Sequence, residues 1–129
     1  MAGKLLDTTV LIDLSRGKLD AADYVDSERQ VGTELFVSVV SAMELIVGCR
    51  NKAEVVKAEK QIADFQLIQL TPAMSQKAYE LITTYSKSHG LMIPDALIAA
   101  TALTESLELM SDNDRHFKMI PNLIVARPF

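Results

Sequence analysis

The chain has 129 residues, nearly half of them apolar (49%), with 13 Lys and Arg against 17 Asp and Glu for a net charge of −4. That length suits one domain with a real core, and that composition excludes a disordered chain. The acidic balance argues against a broad basic surface for non-specific nucleic-acid binding, though it leaves room for an acidic pocket that holds metal or for a basic protein partner.

The apolar pair Leu5-Leu6 runs into Asp7, Thr8 and Thr9 and then a second apolar run, which reads as a short buried strand followed at once by a helix. Thr8 or Thr9 is expected to cap that helix, which runs through Leu14 and ends at Gly17. A modest helix is expected from Leu19 to about Val31, then a strand at Leu35-Phe36-Val37. Ser38 or Ser41 caps a helix through Val47, stopped by Gly48, and Lys52 to Phe65 carries an apolar stripe at helical spacing. A strand follows at Leu67 to Leu70. Thr71-Pro72 places a cap before a proline at the first helical position, and that helix closes at His89-Gly90. Pro94 opens another helix, from Asp95 to about Ser106. Leu109-Met110 is a strand leading into Ser111-Asp112-Asn113-Asp114, with a turn or short helix at Phe117 to Ile120 and a last strand at Leu123 to Val125. Short strands alternating with helices predict a parallel sheet covered on both faces. No repeat or linker interrupts the pattern, so residues 1–129 are expected to form a single domain.

Several function classes drop out. No apolar run approaches the ~20 residues of a membrane span, and no secretory signal pattern is apparent. Cys49 is the only cysteine, which excludes an internal disulfide and points to a reducing, cytoplasmic setting. Cys49 with His89 and His116 cannot make the usual structural zinc site. There is no Gly-rich phosphate loop and no nucleophile with an assignable base. Met43, Met74 and Met92 are expected to fill the core.

The carboxylates carry the chemistry. Asp7 leaves the first strand where ligands bind in open parallel sheets. Glu44 has Val40 and Val47 as helical neighbours and is expected on an inward, apolar face; pairing with Arg50 is the plainer alternative. Asp95 shares a face with Ile98, Ala99 and Ala102, although an aspartate in a first helical turn also needs no further explanation. The 111–114 run offers three oxygen-bearing side chains after a strand; most such runs are solvated turns. Asp13 is expected to be solvated on the far side of its helix, and His116 to be a surface residue. Close carboxylates cannot all stay ionised without a cation, and hard oxygens suit Mg²⁺ or Mn²⁺. Such ions activate water and stabilise a phosphoryl group under attack.

At these residues the chain resembles the PIN-domain ribonucleases, and among them the VapC-type toxins of toxin–antitoxin modules. The motifs are LLDTTVLID at Asp7, SVVSAMELIVG at Glu44, IPDALIAATAL at Asp95 and LMSDNDRHFKMIPNL near the end. The resemblance covers essentially the whole chain. It implies an α/β fold, a PIN-like three-layer α/β/α sandwich around a central parallel sheet of four or five short strands. It also implies metal-dependent endoribonuclease activity, with Asp7, Glu44 and Asp95 as catalytic and metal-holding positions. The family usually has Asn where this chain has Thr9; Thr8, Thr9 and Ser111 become supporting hydroxyls. The family's fourth acidic position falls on Asn113, flanked by Asp112 and Asp114, and which of the three reaches a second metal is left open. Arg115 and Lys118 are candidate contacts to the RNA backbone. A cognate antitoxin and a homodimer are the partners implied. The rivals are a haloacid-dehalogenase-like phosphatase, which wants a second Asp at Thr9; a receiver domain, whose acidic pair is missing; and a catalytically impaired PIN domain that binds protein or RNA, for which Asn113 is the best argument.

Overall fold

A computed structural model describes residues 3–129. Five strands form one all-parallel sheet: β1 (Gly3–Leu6), β2 (Glu34–Ser38), β3 (Gln66–Ile68), β4 (Glu108–Met110) and β5 (Val125–Ala126), ordered β3-β2-β1-β4-β5. Six helices connect them: α1 (Thr8–Ser15), α2 (Leu19–Gln30), α3 (Val39–Val47), α4 (Lys52–Ala63), α5 (Pro72–His89) and α6 (Ile93–Glu105), with a 3₁₀ turn at Asp114–His116.

Successive residues of a strand point to opposite faces, and β1 shows the consequence. Leu5 packs with Met74, Leu81, Ile98 and Leu109 beneath α5 and α6. Leu6 packs with Val10, Leu11, Leu45 and Met110 under α1 to α4. These two cores make the three layers. Alanines 96, 99, 100 and 102 are 0–1% exposed, so α6 lies close to the sheet and its first turn is held near the strand ends.

Local signals account for most element ends. Ser38 accepts the Val40 N–H at 3.1 Å, and Thr71 accepts the Met74 N–H at 3.2 Å with Pro72 at the helix start. Gly90 takes φ +69° at the end of α5, where its N–H bonds Ser86 O; the left-handed turn there favours glycine.

Some expectations need correction. The capping position of α1 is Asp7, not Thr8 or Thr9, which are both inside the helix, so the two threonine hydroxyls are available to the crevice. Strand β3 begins at Gln66, before the expected Leu67. Strand β5 begins at Val125 because Asn122 turns left-handed (φ +67°) and the N–H groups of Leu109 and Ser111 bind Ile124 O and Ala126 O; Leu123 packs on the core instead. Met74 is fully buried, but Met43 and Met92 are 53% and 68% exposed.

The strand order reverses between β1 and β4: β2 and β3 follow on one side of β1, and β4 and β5 lie on the other. A crevice opens at such a switch point, beyond the carboxyl ends of the strands. Asp7 follows β1 directly, and Ser111 follows β4 directly.

Candidate active site

Asp7 is 3% exposed, and its Oδ2 receives the Ser111 hydroxyl at 2.7 Å and the Thr9 hydroxyl at 3.3 Å. Each hydroxyl is itself held by the backbone of the neighbouring turn. The Asn113 N–H donates to Ser111 Oγ at 3.0 Å, and the Asp112 N–H donates to Thr9 Oγ1 at 3.2 Å. Two backbone amides thus reach Asp7 through two hydroxyls, which fixes the carboxylate's orientation. Burial pushes the Asp7 carboxyl above its usual range; the donors from Ser111, the Thr8 N–H and Thr9 pull it back, and the charge of Glu44 pushes it further up. Ser111→Ala should cost about 1–3 kcal/mol in denaturant unfolding, because it removes a donor from a buried carboxylate. A variant as stable as the parent would refute this role.

Glu44 is exposed, which corrects the expected inward face: Val47 on its helical side is 83% exposed, and only Val40 is buried. The helix α3 has a narrow apolar face, and Glu44 stands at its edge. It is nonetheless tied to the crevice. Thr8 Oγ1 lies 2.7 Å from Glu44 Oε1 and 2.9 Å from Ser41 Oγ. With one proton to give, Thr8 donates to the carboxylate and accepts from Ser41. Arg50 pairs with Glu54 at 2.8 Å and leaves Glu44 alone.

Asp95, in the first turn of α6, is 30% exposed, and its carboxyl is pushed up to about 6. Burial is the main cause. The charges of Asp7 and Glu44 add to it, and His116 opposes it from 3.8 Å. The three carboxylates therefore sense one another across the crevice.

The 111–114 turn divides its side chains. Asp114 pairs with Lys118 at 3.3 Å and Arg127 at 3.4 Å. Asp112 is pushed up to about 6 by burial and by a side-chain hydrogen bond with Asp13. Asp13 is 7% exposed, which overturns its expected solvation: α1 turns it toward the 111–114 turn. Its bond with Asp112 and the ammonium of Lys18 at 3.3 Å hold its carboxyl below the usual range. Asn113 makes no side-chain hydrogen bond among the described residues. Arg115 and His116 are exposed at the rim.

Sequence reasoning missed Asp13. Its signal was the four-residue spacing from Thr9, which puts both on one face of α1.

The side-chain groups bonded to Asp7 are oxygens, and among the described residues His116 beside Asp95 is the positive group set against the gathered like charges. That set fits a hard divalent cation. Among the described residues, no three acidic, histidine or cysteine side chains close around one point. Magnesium does not require such a cage: it is commonly held by one or two carboxylates and keeps several waters.

An apolar groove of about 610 Å³ lies elsewhere, between α3, α4 and β3, lined by residues that include Met43, Val47, Val55 and Phe65. Among the described residues no helix is long and apolar enough to cross a membrane.

An all-parallel sheet with carboxylates gathered beyond its switch point defines an α/β protein with an acidic crevice. The chain belongs to the PIN-domain family, whose model matches residues 4–123. It is similar to Ribonuclease VapC10 of Mycobacterium tuberculosis, 38% identical over 120 residues, covering 92% of this chain and 89% of that protein. It is 33% identical over 121 residues to Ribonuclease VapC19 of the same organism, covering 93% and 96%. Among solved structures, a toxin–antitoxin complex from Klebsiella pneumoniae contains a chain of the same fold, with a TM-score of 0.79, 27% identity and 98% of each chain covered. A DNA-bound VapBC from Salmonella typhimurium superposes with a TM-score of 0.82 over 100% of both chains; at 16% identity it speaks to the fold alone.

Proposed function

We propose that this chain is a metal-dependent endoribonuclease, the toxin of a toxin–antitoxin pair, acting through the acidic crevice as a single PIN domain over residues 1–129. The observation that carries the reading is the buried Asp7 carboxylate, held by Thr9 and Ser111 beside Asp95 and Glu44. A fold needs no such cluster, since gathered carboxylates oppose folding.

Asp7 and Asp95 would hold Mg²⁺, or Mn²⁺ in its place, directly or through water. Bound there, the ion supplies a more acidic water and charge stabilisation for a phosphoryl group. Glu44, at the rim with Oε1 occupied by Thr8, has Oε2 to orient an attacking water or take its proton. Asn113 offers a neutral amide to a second ion or water, while Asp112 and Asp114 have other partners. Arg115 and Lys118, exposed after the 111–114 turn, would contact the RNA backbone, although Lys118 must share its charge with Asp114.

The partner is a cognate antitoxin. The net charge of −4 suits a basic segment of it, and the apolar groove beside α3 suits an apolar one. A homodimer in the cytoplasm completes the reading.

The test is cleavage of a mixed RNA pool by antitoxin-free protein in Mg²⁺ or Mn²⁺, with EDTA as control. Cleavage that EDTA abolishes is expected. A folded protein that cuts no RNA and shows no metal-induced thermal shift would favour a binding module instead.

A further inference from the structure

We propose that Arg127 is a substrate-binding residue: with Lys118, across the shared carboxylate of Asp114, it forms a cationic anchor at the rim of the acidic crevice for a backbone phosphate of the RNA strand. The inference rests on the nuclease reading above.

Strand β5 ends at Ala126, so Arg127 is the first residue beyond its carboxyl end. The registers Leu6 to Met110 and Met110 to Ala126 place Asp7, Ser111 and Arg127 abreast, one step past three neighbouring strands. The ladder still runs at that level. The Asp7 N–H donates to Met110 O at 2.9 Å, and the Ser111 N–H donates to Ala126 O at 2.9 Å. Neighbouring strands lie about 4.8 Å apart, so the backbone of Arg127 stands about 10 Å from that of Asp7, at the same end of the sheet.

Arg127 Nη1 lies 3.4 Å from Asp114 Oδ1, and Lys118 Nζ lies 3.3 Å from Asp114 Oδ2. Two cations on one carboxylate leave a local surplus of positive charge. The Asp114 side chain is 15% exposed, against 58% for Arg127 and 66% for Lys118, so the anion sits behind and the cations face the solvent. A guanidinium carries five N–H donors in a planar fork. Arg50 gives two of its own to Glu54, at 2.8 and 3.1 Å, and Arg29 bonds Asp64 O at 2.7 Å and lies over the Phe65 ring. Arg127 makes one long contact instead. An exposed pair of that kind adds little to stability, which leaves the rest of the fork for an anion from outside.

The chemistry of the crevice calls for such an anchor. Asp7, Glu44 and Asp95 gather at the centre and the whole chain carries a net charge of −4, and both repel a polyanion. Phosphate contacts fix the position of a nucleic acid without reading its bases, and the guanidinium fork matches phosphate oxygens. An anchor at the end of the row that begins at Asp7 holds the strand by a phosphate other than the one attacked.

The test uses the full chain carrying Arg127→Ala, Arg127→Lys or Lys118→Ala. Binding of a fluorescein-labelled single-stranded RNA pool is followed by anisotropy over a range of KCl concentrations, in the Asp7→Asn background to keep the RNA uncut. Cleavage kinetics in Mn²⁺ are measured in the parent background. Each phosphate contact on a single strand contributes about 0.7 to the slope of log K against log salt, so Arg127→Ala should lower the slope by about that much and weaken binding about fivefold at about 0.1 M salt relative to about 1 M. KM should rise by a similar factor with kcat retained, because a remote phosphate contact binds substrate and transition state alike. Arg127→Lys keeps the charge and should keep most of the slope. Should Arg127→Ala fail to fold, Lys118→Ala must show the same loss of slope. A parent-like slope and KM in Arg127→Ala, or a fall in kcat at unchanged KM, would overturn the proposal while leaving the nuclease reading intact. A parent protein that cuts no RNA would remove the nuclease reading itself, which the anisotropy slopes distinguish from a failure of the anchor.

Discussion

Replacing Asp7 with asparagine is expected to lower RNA cleavage by about a thousandfold, since several kcal/mol of transition-state stabilisation depend on a correctly held ion. The same substitution should raise the melting temperature of the metal-free protein by a few degrees, on the order of 1 kcal/mol. Opposite effects on activity and stability follow from one fact: burial disfavours the charged carboxylate that the chemistry requires. Asparagine keeps the shape and still accepts from Ser111 and Thr9, but carries no charge. Cleavage rates and thermal melts of the two proteins check this. Normal cleavage would remove Asp7 from the site, and lost cleavage with a lower melting temperature would mark it as a structural residue.

Asp95→Asn is expected to stabilise the metal-free protein in a pH-dependent way. An unperturbed aspartate titrates at 3.8, and Asp95 at about 6. Between those values the folded state holds a proton that the unfolded state has released. The contribution to stability is therefore complete below about pH 4, falls as pH rises and is gone above about pH 6. The asparagine variant has no such loss. Its advantage over the parent should be absent at pH 4 and reach about 1–2 kcal/mol at pH 7, after allowance for partial exposure of the side chain. Added Mn²⁺ should shrink that difference, because an ion stabilises the ionised cluster of the parent. Denaturant unfolding at several pH values measures it. A difference that does not change with pH would mean that Asp95 is not held among like charges.

Read from residues alone, the chain already disclosed its element order and most of its helix ends, because these depend on local chemistry. The Thr71-Pro72 start and the Gly90 stop of α5 are decided within a few residues of themselves. The same holds for Asp7 at the exit of β1, where an apolar pair gives way to a carboxylate. Helical spacing singled out Glu44 and Asp95, and the resemblance then made them companions of Asp7. Tertiary structure decided what no local pattern encodes. Helical spacing put Glu44 beside Val40 and Val47, but burial depends on which elements cover a face, and nothing covers Val47. The same logic failed in the other direction for Asp13, which lies next to a turn 99 positions later in the chain, at Asp112. Three neighbouring oxygen-bearing side chains looked equivalent at 112 to 114. They became different only when α1 supplied Asp13 to the first, while Lys118 and Arg127 took the third. Partners brought together from distant positions set those roles, and that pairing is a property of the folded chain.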